Sequence, residues 1–149
     1  MSFRQKILIK IINFWPPFVG AGIHIDYVSK DFMEVDVSLK LRFWNRNYVG
    51  TAYGGSLYSM ADPFYMLMLI NLLGKGYIVW DKGATIRFKR PGTTKVCAQF
   101  RLTAEQLAGF KEELKGKNKI EPILTVYIKD EEGNVIAEVD KTLYIKKKH

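Results

Sequence analysis

The segment SLYSMADPFYMLMLINLLGKG, residues 56–76, constrains the fold of this 149-residue chain more than any other. It is long enough for about five helical turns and is apolar on nearly all sides. Gly74 and Gly76 supply a helix stop, and Gly54–Gly55 open the helix. Because a helix that is apolar all round must be buried, the sequence predicts a central helix over residues 54–74, wrapped by the rest of the chain or by a partner.

The chain around this helix reads as strands, since apolar and polar residues alternate. A short exposed helix is predicted over residues 104–116, with Thr103 as a possible N-cap. The predicted strands lie at residues 23–27, 33–41, 84–88, 95–103, 123–128 and 135–145. Mostly antiparallel strands with one long buried helix indicate an α+β fold in which the sheet curls around that helix. The length predicts one domain over residues 1–149.

Residues 1–20 form an N-terminal segment that leads into the domain and is typical of a short amphipathic helix ending at Pro16–Pro17. Its apolar face at helical spacing consists of Phe3, Ile7, Leu8, Ile11 and Trp15. This helix either packs on its own domain or lies on a membrane surface. Lys10 and Asn13 interrupt the apolar run, so it is not typical of a signal peptide. Residues 64–73 are too short to span a bilayer, and we expect a cytoplasmic protein without a transmembrane segment.

Charge and cysteine content exclude several classes of site. With only Cys97, His24 and His149 available, a Cys/His zinc site and an intramolecular disulfide are excluded, and no metal is expected. The net charge of +8 favours anionic partners: nucleic acid, phospholipid headgroups or phosphorylated small molecules. Acidic residues are interleaved with the basic ones and no nucleic-acid-binding module is present, so specific nucleic-acid binding is not expected.

Two features of residues 47–62 point to chemistry. Gly54–Gly55 at the helix start would let a ligand approach unpaired N–H groups, which suit a developing oxyanion; the alternative is a tight turn that needs positive φ. Asp62 lies two turns into the apolar helix, directly before Pro63, where a kink could aim its carboxylate. A purely structural Asp remains the alternative. Together, the amides and the carboxylate could attack a carbonyl group, with Asp62 as general base or nucleophile.

This stretch resembles the hotdog-fold acyl-CoA thioesterases of the phenylacetate-pathway type. The matching positions are Asn47, Tyr53–Gly54–Gly55 and Met60–Ala61–Asp62. The passages GTAYGGSLYSMADPFYMLML and VWDKGATIRFKRPG look closer to a sister family of uncharacterised proteins assigned as thioesterases. Here Tyr53 replaces the usual His, and Pro63 is not typical of the characterised enzymes.

The resemblance implies a hotdog fold: a curled, mostly antiparallel sheet around one long central helix. It implies that Asp62 is the catalytic carboxylate, that the N–H of Gly54 or Gly55 polarises the thioester carbonyl, and that Asn47 places water or the carbonyl. It also implies a homodimer or homotetramer with carboxylate and amides on opposite chains. The substrate would be an acyl thioester of coenzyme A or acyl carrier protein, and no separate cofactor is expected.

Substrate contacts are expected from residues beside these positions. The aromatic and polar side chains near the helix start are candidates for an acyl pocket: Tyr53, Ser56, Tyr58, Phe64 and Tyr65. Met60 belongs to the same predicted pocket, and Ser56 is equally a first-turn helix residue. The basic residues Arg87, Lys89 and Arg90 are candidates for coenzyme A phosphates.

Two other functions stay open on the same fold. One is non-catalytic acyl or lipid binding. The other is a hotdog hydratase, which usually pairs a carboxylate with a catalytic His; here His24 is the only internal histidine.

Overall fold

The structure is a computed structural model that describes residues 3–148. Its helices are α1 (Phe3–Asn13), α2 (Pro16–Ala21), α3 (Gly54–Ala61), α4 (Phe64–Leu73) and α5 (Ala104–Gly116). Its strands are β1 (Ile23–Val28), β2 (Glu34–Leu39), β3 (Tyr77–Phe88), β4 (Val96–Arg101), β5 (Lys119–Ile120), β6 (Ile123–Asp130) and β7 (Val135–Lys147). Within residues 3–148, no helix is long and apolar enough to cross a membrane.

The strands form one antiparallel sheet in the order β1-β2-β4-β6-β7-β3, and the short β5 also pairs with β7. Alternate residues of β4, β6 and β7 face inward, because side chains alternate between the two faces of a strand. These inward side chains pack around α3 and α4, whose buried residues include Leu57, Met60, Phe64 and Met68. This curled sheet around a central helix is the predicted hotdog arrangement.

The predicted central helix is present but not continuous. It breaks at Asp62–Pro63, so that α3 ends at Ala61 and α4 begins at Phe64. Pro63 has no N–H to continue the helical ladder and disfavours helical geometry at the residue before it. The predicted kink is therefore confirmed, and it divides the helix into two.

Local signals elsewhere were also reliable. Thr103 caps α5 through a capping box, in which its side chain accepts from the N–H of Gln106 and the Gln106 side chain accepts from the N–H of Thr103. The final hairpin turns at Gly133, which has φ +84°, and the Asp130 carboxylate accepts from the Asn134 N–H. The predicted strand over residues 84–88 begins seven residues earlier, at Tyr77, and β5 was not predicted.

Helix α1 packs on its own domain, which is one of the two predicted alternatives, but mainly with a different face than predicted. The packing is through the half-buried Ile9 and Ile12. Of the predicted apolar face, Leu8 joins them at a small apolar cavity and Trp15 contacts the Phe18 ring. Of that face, Phe3 and Ile11 are 79% and 62% exposed. The periodic apolar pattern was correctly identified, but part of it faces solvent, because Ile9 and Ile12 on the opposite side of the helix are apolar as well and pack against the core.

Candidate functional site

Asp62 lies at the break between α3 and α4, and about half of its side chain (47%) is exposed. Its Oδ1 accepts a hydrogen bond from the Tyr58 hydroxyl at 3.0 Å and one from the Lys141 ammonium at 2.8 Å. Tyr58 reaches it because residues four apart share a helix face. Since both bonds end on Oδ1, Oδ2 is left for other partners.

Lys141 is the most deeply buried charged residue of the described chain, with no exposed side-chain surface. Besides Asp62, it pairs with the Asp81 carboxylate at 3.2 Å, and its ammonium lies 5.3 Å from the centre of the Tyr58 ring. A buried lysine is costly unless it is paired. Here two carboxylates and an aromatic face compensate it, so the four residues form one polar cluster against the helix break.

Strand β3 supplies the second carboxylate at an irregular position. The pairing of β3 with β7 shifts between Asp81 and Gly83, and such a bulge re-aims side chains. Burial raises the pKa of Asp81 above its ordinary range; the Lys141 charge and hydrogen bond oppose this, and the Asp62 charge adds to it.

The pKa values of the other two partners follow from the same contacts. Burial lowers the pKa of Lys141, but the hydrogen bond to Asp62 and the charges of Asp81 and Asp62 outweigh burial and hold it above its ordinary value. Burial is also the largest cause that raises the pKa of Tyr58; Lys141 opposes it and the Asp62 hydrogen bond adds to it. At neutral pH the cluster therefore contains an ammonium and a neutral phenol that both donate to Asp62.

Sequence reasoning missed Lys141, although a signal for it existed. Val139, Lys141 and Leu143 occupy alternate positions of β7, and all three are buried. A lysine on the apolar side of an alternating strand must either snorkel or find a buried acid. Asp62 was the obvious acid, but the pairing spans 79 residues of sequence.

The start of α3 is the second part of the predicted site. Ser56 and Leu57 donate the first intrahelical hydrogen bonds, both to the Tyr53 carbonyl. The N–H groups of Gly54 and Gly55 precede these bonds and have no helical acceptor. Both glycines have negative φ, so the alternative of a positive-φ turn is wrong.

Close packing explains the two glycines instead. A Cβ at Gly54 would lie 3.0 Å from the Phe88 ring, and one at Gly55 would lie 2.6 Å from the Tyr53 ring. Tyr53 and Phe88 are themselves 58% and 57% exposed. Two solvent-facing aromatic rings therefore lean against the first turn of α3.

An open cleft of about 360 Å³ lies at this helix start. It brings together four of the predicted site residues, namely Asn47, Gly54, Lys89 and Arg90, along with Phe88. The Arg90 guanidinium donates to the Asn134 side chain at 3.2 Å across the β6–β7 turn. The cleft thus combines helix amides with cations.

The Asn47 side chain makes hydrogen bonds within its own loop. Its Oδ1 accepts from the N–H groups of Val49 and Thr51, and its Nδ2 donates to the Thr51 hydroxyl at 2.8 Å. These bonds shape the loop that leads to Tyr53 and hold Asn47 at the cleft wall. The contacts support a role in building the cleft, while its predicted role in placing water remains a prediction.

Several predicted substrate contacts are corrected by the structure. Phe64 packs against Phe18 and Phe100 in the core. Tyr65 is buried too, and its hydroxyl donates to the Thr125 carbonyl at 2.9 Å. Met60 is fully buried. These three inward positions on the helices pack against the sheet, so they do not line a tunnel beside Asp62.

The structure places Arg87 in an ion-pair network and Ser56 in the first turn of α3. The Arg87 guanidinium pairs with Glu138 at 3.2 Å and with Asp140 at 2.8 Å across the β3–β7 pair, so its charge is already engaged. Ser56 is a half-buried residue of the first turn of α3. Tyr58 was predicted to line an acyl pocket, and the structure shows its hydroxyl donating a hydrogen bond to the Asp62 carboxylate.

Solved structures with the same architecture come from several bacteria. Protein PA5026 of Pseudomonas aeruginosa, described as a probable thioesterase of unknown function, has a TM-score of 0.83 and 22% identity over 99% of both chains. Thioesterase HI1161 of Haemophilus influenzae has a TM-score of 0.70 and 17% identity, over 99% of this chain and 93% of that one. The E. coli PaaI protein, from the phenylacetic acid degradation operon, has a TM-score of 0.65 and 16% identity, over 97% and 93%.

At identities this low, the structural similarity establishes a shared fold and nothing finer, and that fold is the hotdog fold. A search of curated protein sequences finds no significant match. The sequence profile of the family described as "Domain of unknown function (DUF4442)" matches residues 4–145, which is nearly the whole chain. The protein is therefore a member of the DUF4442 family with a hotdog fold.

Proposed function

We propose that the protein hydrolyses acyl thioesters, with Asp62 as the catalytic carboxylate. The observation that carries this proposal is the Asp62 carboxylate itself, half exposed at a break in a buried helix and held on Oδ1 by Lys141 and Tyr58. Two donors on one oxygen fix the orientation of the group and leave Oδ2 for water or for the carbonyl carbon.

The reaction divides between the carboxylate and the helix amides. Asp62 either takes a proton from water as the water oxygen bonds to the carbonyl carbon, or attacks that carbon itself. The carbonyl oxygen becomes negative and accepts hydrogen bonds from the N–H groups of Gly54 and Gly55. Collapse of the intermediate breaks the carbon–sulfur bond. When Asp62 acts as the base, the proton that it took from water passes to the leaving thiolate. When Asp62 attacks, the thiolate takes a proton from solvent, and water then hydrolyses the acyl anhydride on Asp62, which releases the acid and restores the carboxylate.

A site of this kind needs two copies of the chain. Gly54 and Asp62 are eight residues apart on α3, which is about 12 Å along a helix. Both groups must come within about 3 Å of one carbonyl, so one chain's carboxylate and its own amides do not meet there. The proposal therefore pairs Asp62 of one subunit with the amides of its partner in a homodimer.

Strand β3 is the edge along which we propose that the dimer forms. It is twelve residues long, closes one end of the sheet and pairs with β7 on one side only within the described chain. Trp80 and Phe88 are half exposed along it. A long open edge of this kind favours pairing with another strand.

Coenzyme A is the carrier that the cleft favours. Lys89 and Arg90 border the cleft that contains the Gly54 amide, so phosphates of a bound carrier could contact them while the thioester reaches the amide. Acyl carrier protein is the second candidate carrier, since it presents a phosphate on the same pantetheine arm.

The first experiment measures free-thiol release from a panel of acyl-CoA thioesters. We expect cleavage by the wild-type protein and its loss in Asp62→Asn. A wild-type protein that binds acyl-CoA and cleaves none of the panel would instead identify a non-catalytic acyl-binding protein.

The second experiment tests the shared site by mixing two inactive variants. Gly54→Pro removes one N–H at the first helical position, where the extended Tyr53 (φ −66°, ψ 129°) suits a following proline, although the exposed Phe88 ring must shift for the added Cβ. Gly54→Ala is the matched control, because it adds a Cβ but keeps the N–H. Co-refolding Gly54→Pro with Asp62→Asn should restore about a quarter of wild-type activity, since half of the dimers then carry one intact site of two. No recovery would place each site within one chain.

A further inference from the structure

The first helix presents an apolar stripe to solvent. Phe3, Ile7 and Ile11, here called the outward stripe, are four residues apart and so share one face of α1. They are exposed, and the apolar surface continues beyond the helix. The exposed apolar residues that follow are Phe14, Trp15 and Val19.

The rest of the domain cannot cover this stripe, because the opposite side of α1 is already fixed. Ile9 and Ile12 pack against the core. At the end of the helix, the Asn13 side chain accepts from the Ile25 N–H at 2.7 Å and donates to the Ile25 carbonyl at 3.2 Å. The helix is thus tied to β1, with the outward stripe facing away from the sheet.

Cations border the stripe on both sides. At 100° per residue, Lys6 and Lys10 lie on one side and Arg4 on the other, and all three are exposed. No acidic residue precedes Asp26 in the sequence. An apolar face between two rows of cations complements a surface that is apolar inside and anionic outside.

Aromatic side chains extend this surface past the helix. A cleft next to α2 is lined by Val19 and, across it, by Trp44, with Lys40 and Arg42 beside them. Trp44 is about half exposed, and the Arg42 guanidinium lies 5.3 Å from the centre of its ring. Tryptophan next to arginine is typical of the headgroup region of a bilayer.

A second copy of the chain fits this face less well. A two-fold contact would place Lys6, Lys10 and Arg4 of one copy against the same cations of the other, which is repulsive. The helix also packs on β1, at the opposite end of the sheet from β3, so the proposed dimer leaves the stripe uncovered.

We propose that α1 docks the protein on an anionic lipid bilayer. The outward stripe enters the boundary between headgroups and acyl chains, and Arg4, Lys6 and Lys10 stay among the anionic headgroups. Docking on a bilayer does not depend on the proposed hydrolysis, so the two proposals can fail separately.

The test is co-sedimentation of the full-length protein with extruded vesicles. We expect it to pellet with vesicles of phosphatidylcholine mixed with phosphatidylglycerol, less with phosphatidylcholine alone, and less as salt rises. Ile11→Glu should weaken binding at least tenfold, because it places a charge in the stripe. Ile123→Glu is its matched control, since Ile123 is 64% exposed on the outer face of β6, and it should bind as the wild type does.

A charge exchange tests the cations without touching the stripe. The double variant Lys6→Glu with Lys10→Glu should weaken vesicle binding, since each cation near the bilayer surface contributes about fivefold to the affinity. The control is Lys111→Glu with Lys129→Glu, which changes the net charge equally at exposed positions elsewhere and should weaken binding far less. Absence of binding to anionic vesicles, or equal binding by both double variants, would overturn the proposal. The proposal would also be overturned if the wild type did not bind vesicles and Ile11→Glu formed a smaller oligomer than the wild type. A second copy of the chain would then cover the stripe.

Discussion

At the scale of single residues, Asp62 is the position where catalytic and structural roles can be told apart. Asp62→Asn keeps the shape and removes the charge that pairs with Lys141. If the carboxylate is the base or nucleophile, we expect thioester cleavage to fall by roughly a hundred- to ten-thousand-fold. Rates and melting temperatures are measured on one sample, with Asp36→Asn, whose carboxylate pairs with Arg101, as the control. A destabilised but fully active Asp62→Asn would leave the residue with only a structural role.

Lys141 should matter for stability as well as for the site. Lys141→Met keeps most of the side-chain volume and leaves Asp81 and Asp62 without their shared cation. Breaking a buried ion pair by removing one partner costs about 3–5 kcal/mol, and we expect a loss of that order in urea unfolding. Adding Asp81→Leu should recover part of it, because the second buried charge is then gone as well. An unchanged unfolding free energy in Lys141→Met would show that the ion pair contributes nothing net.

The raised pKa of Lys141 also predicts a pH dependence. The folded state holds this proton more tightly than the unfolded state, so the contribution of Lys141 is complete at neutral pH and decreases as pH rises through its folded pKa. The wild type should therefore lose more stability than Lys141→Met above about pH 10, where an unperturbed lysine titrates. Thermal melting of both proteins from neutral to alkaline pH measures the difference, and parallel curves would contradict it.

At the scale of elements, the break between α3 and α4 connects sequence to site geometry. Pro63→Ala returns an N–H that can continue the helical ladder, so the two helices should join and turn Asp62 away from Lys141. We expect slower thioester cleavage and some loss of stability, because the buried Lys141 ammonium then keeps only Asp81 as a carboxylate partner, together with amide protection at position 63 in hydrogen exchange. Pro122→Ala, outside both helices, is the control. Normal activity in Pro63→Ala would show that the break is not needed to aim the carboxylate.

At the scale of the whole molecule, the proposed reaction requires assembly, because it takes the carboxylate from one subunit and the amides from another. We expect light scattering to show at least a dimer at micromolar concentration. Ala84→Glu places a charge on the exposed middle of β3 and should produce monomers that have lost thioester cleavage. Ala104→Glu, an exposed position at the start of α5, should leave the dimer intact. A wild-type monomer that cleaves thioesters would contradict the shared site.

Much of the fold could be predicted because its signals are local. The alternation of β7, the Thr103 cap and the break at Asp62–Pro63 each depend on residues a few positions apart. Hydrogen-bond geometry and proline sterics act over the same short range. The buried helix was equally clear, since an apolar segment of that length has few other places to go.

Only the tertiary structure decided which face of each helix is buried and which charged side chains pair. The sequence by itself determined that α1 carries an apolar stripe, that Asp62 sits at a helix break and that glycines open α3. It did not determine that the stripe faces solvent, that Phe64 packs in the core, or that the buried cation of Asp62 is Lys141, 79 residues away. The physical reason is that burial and charge compensation depend on which distant segments meet, and one strand position can face a helix, a carboxylate or water without any change in its local pattern.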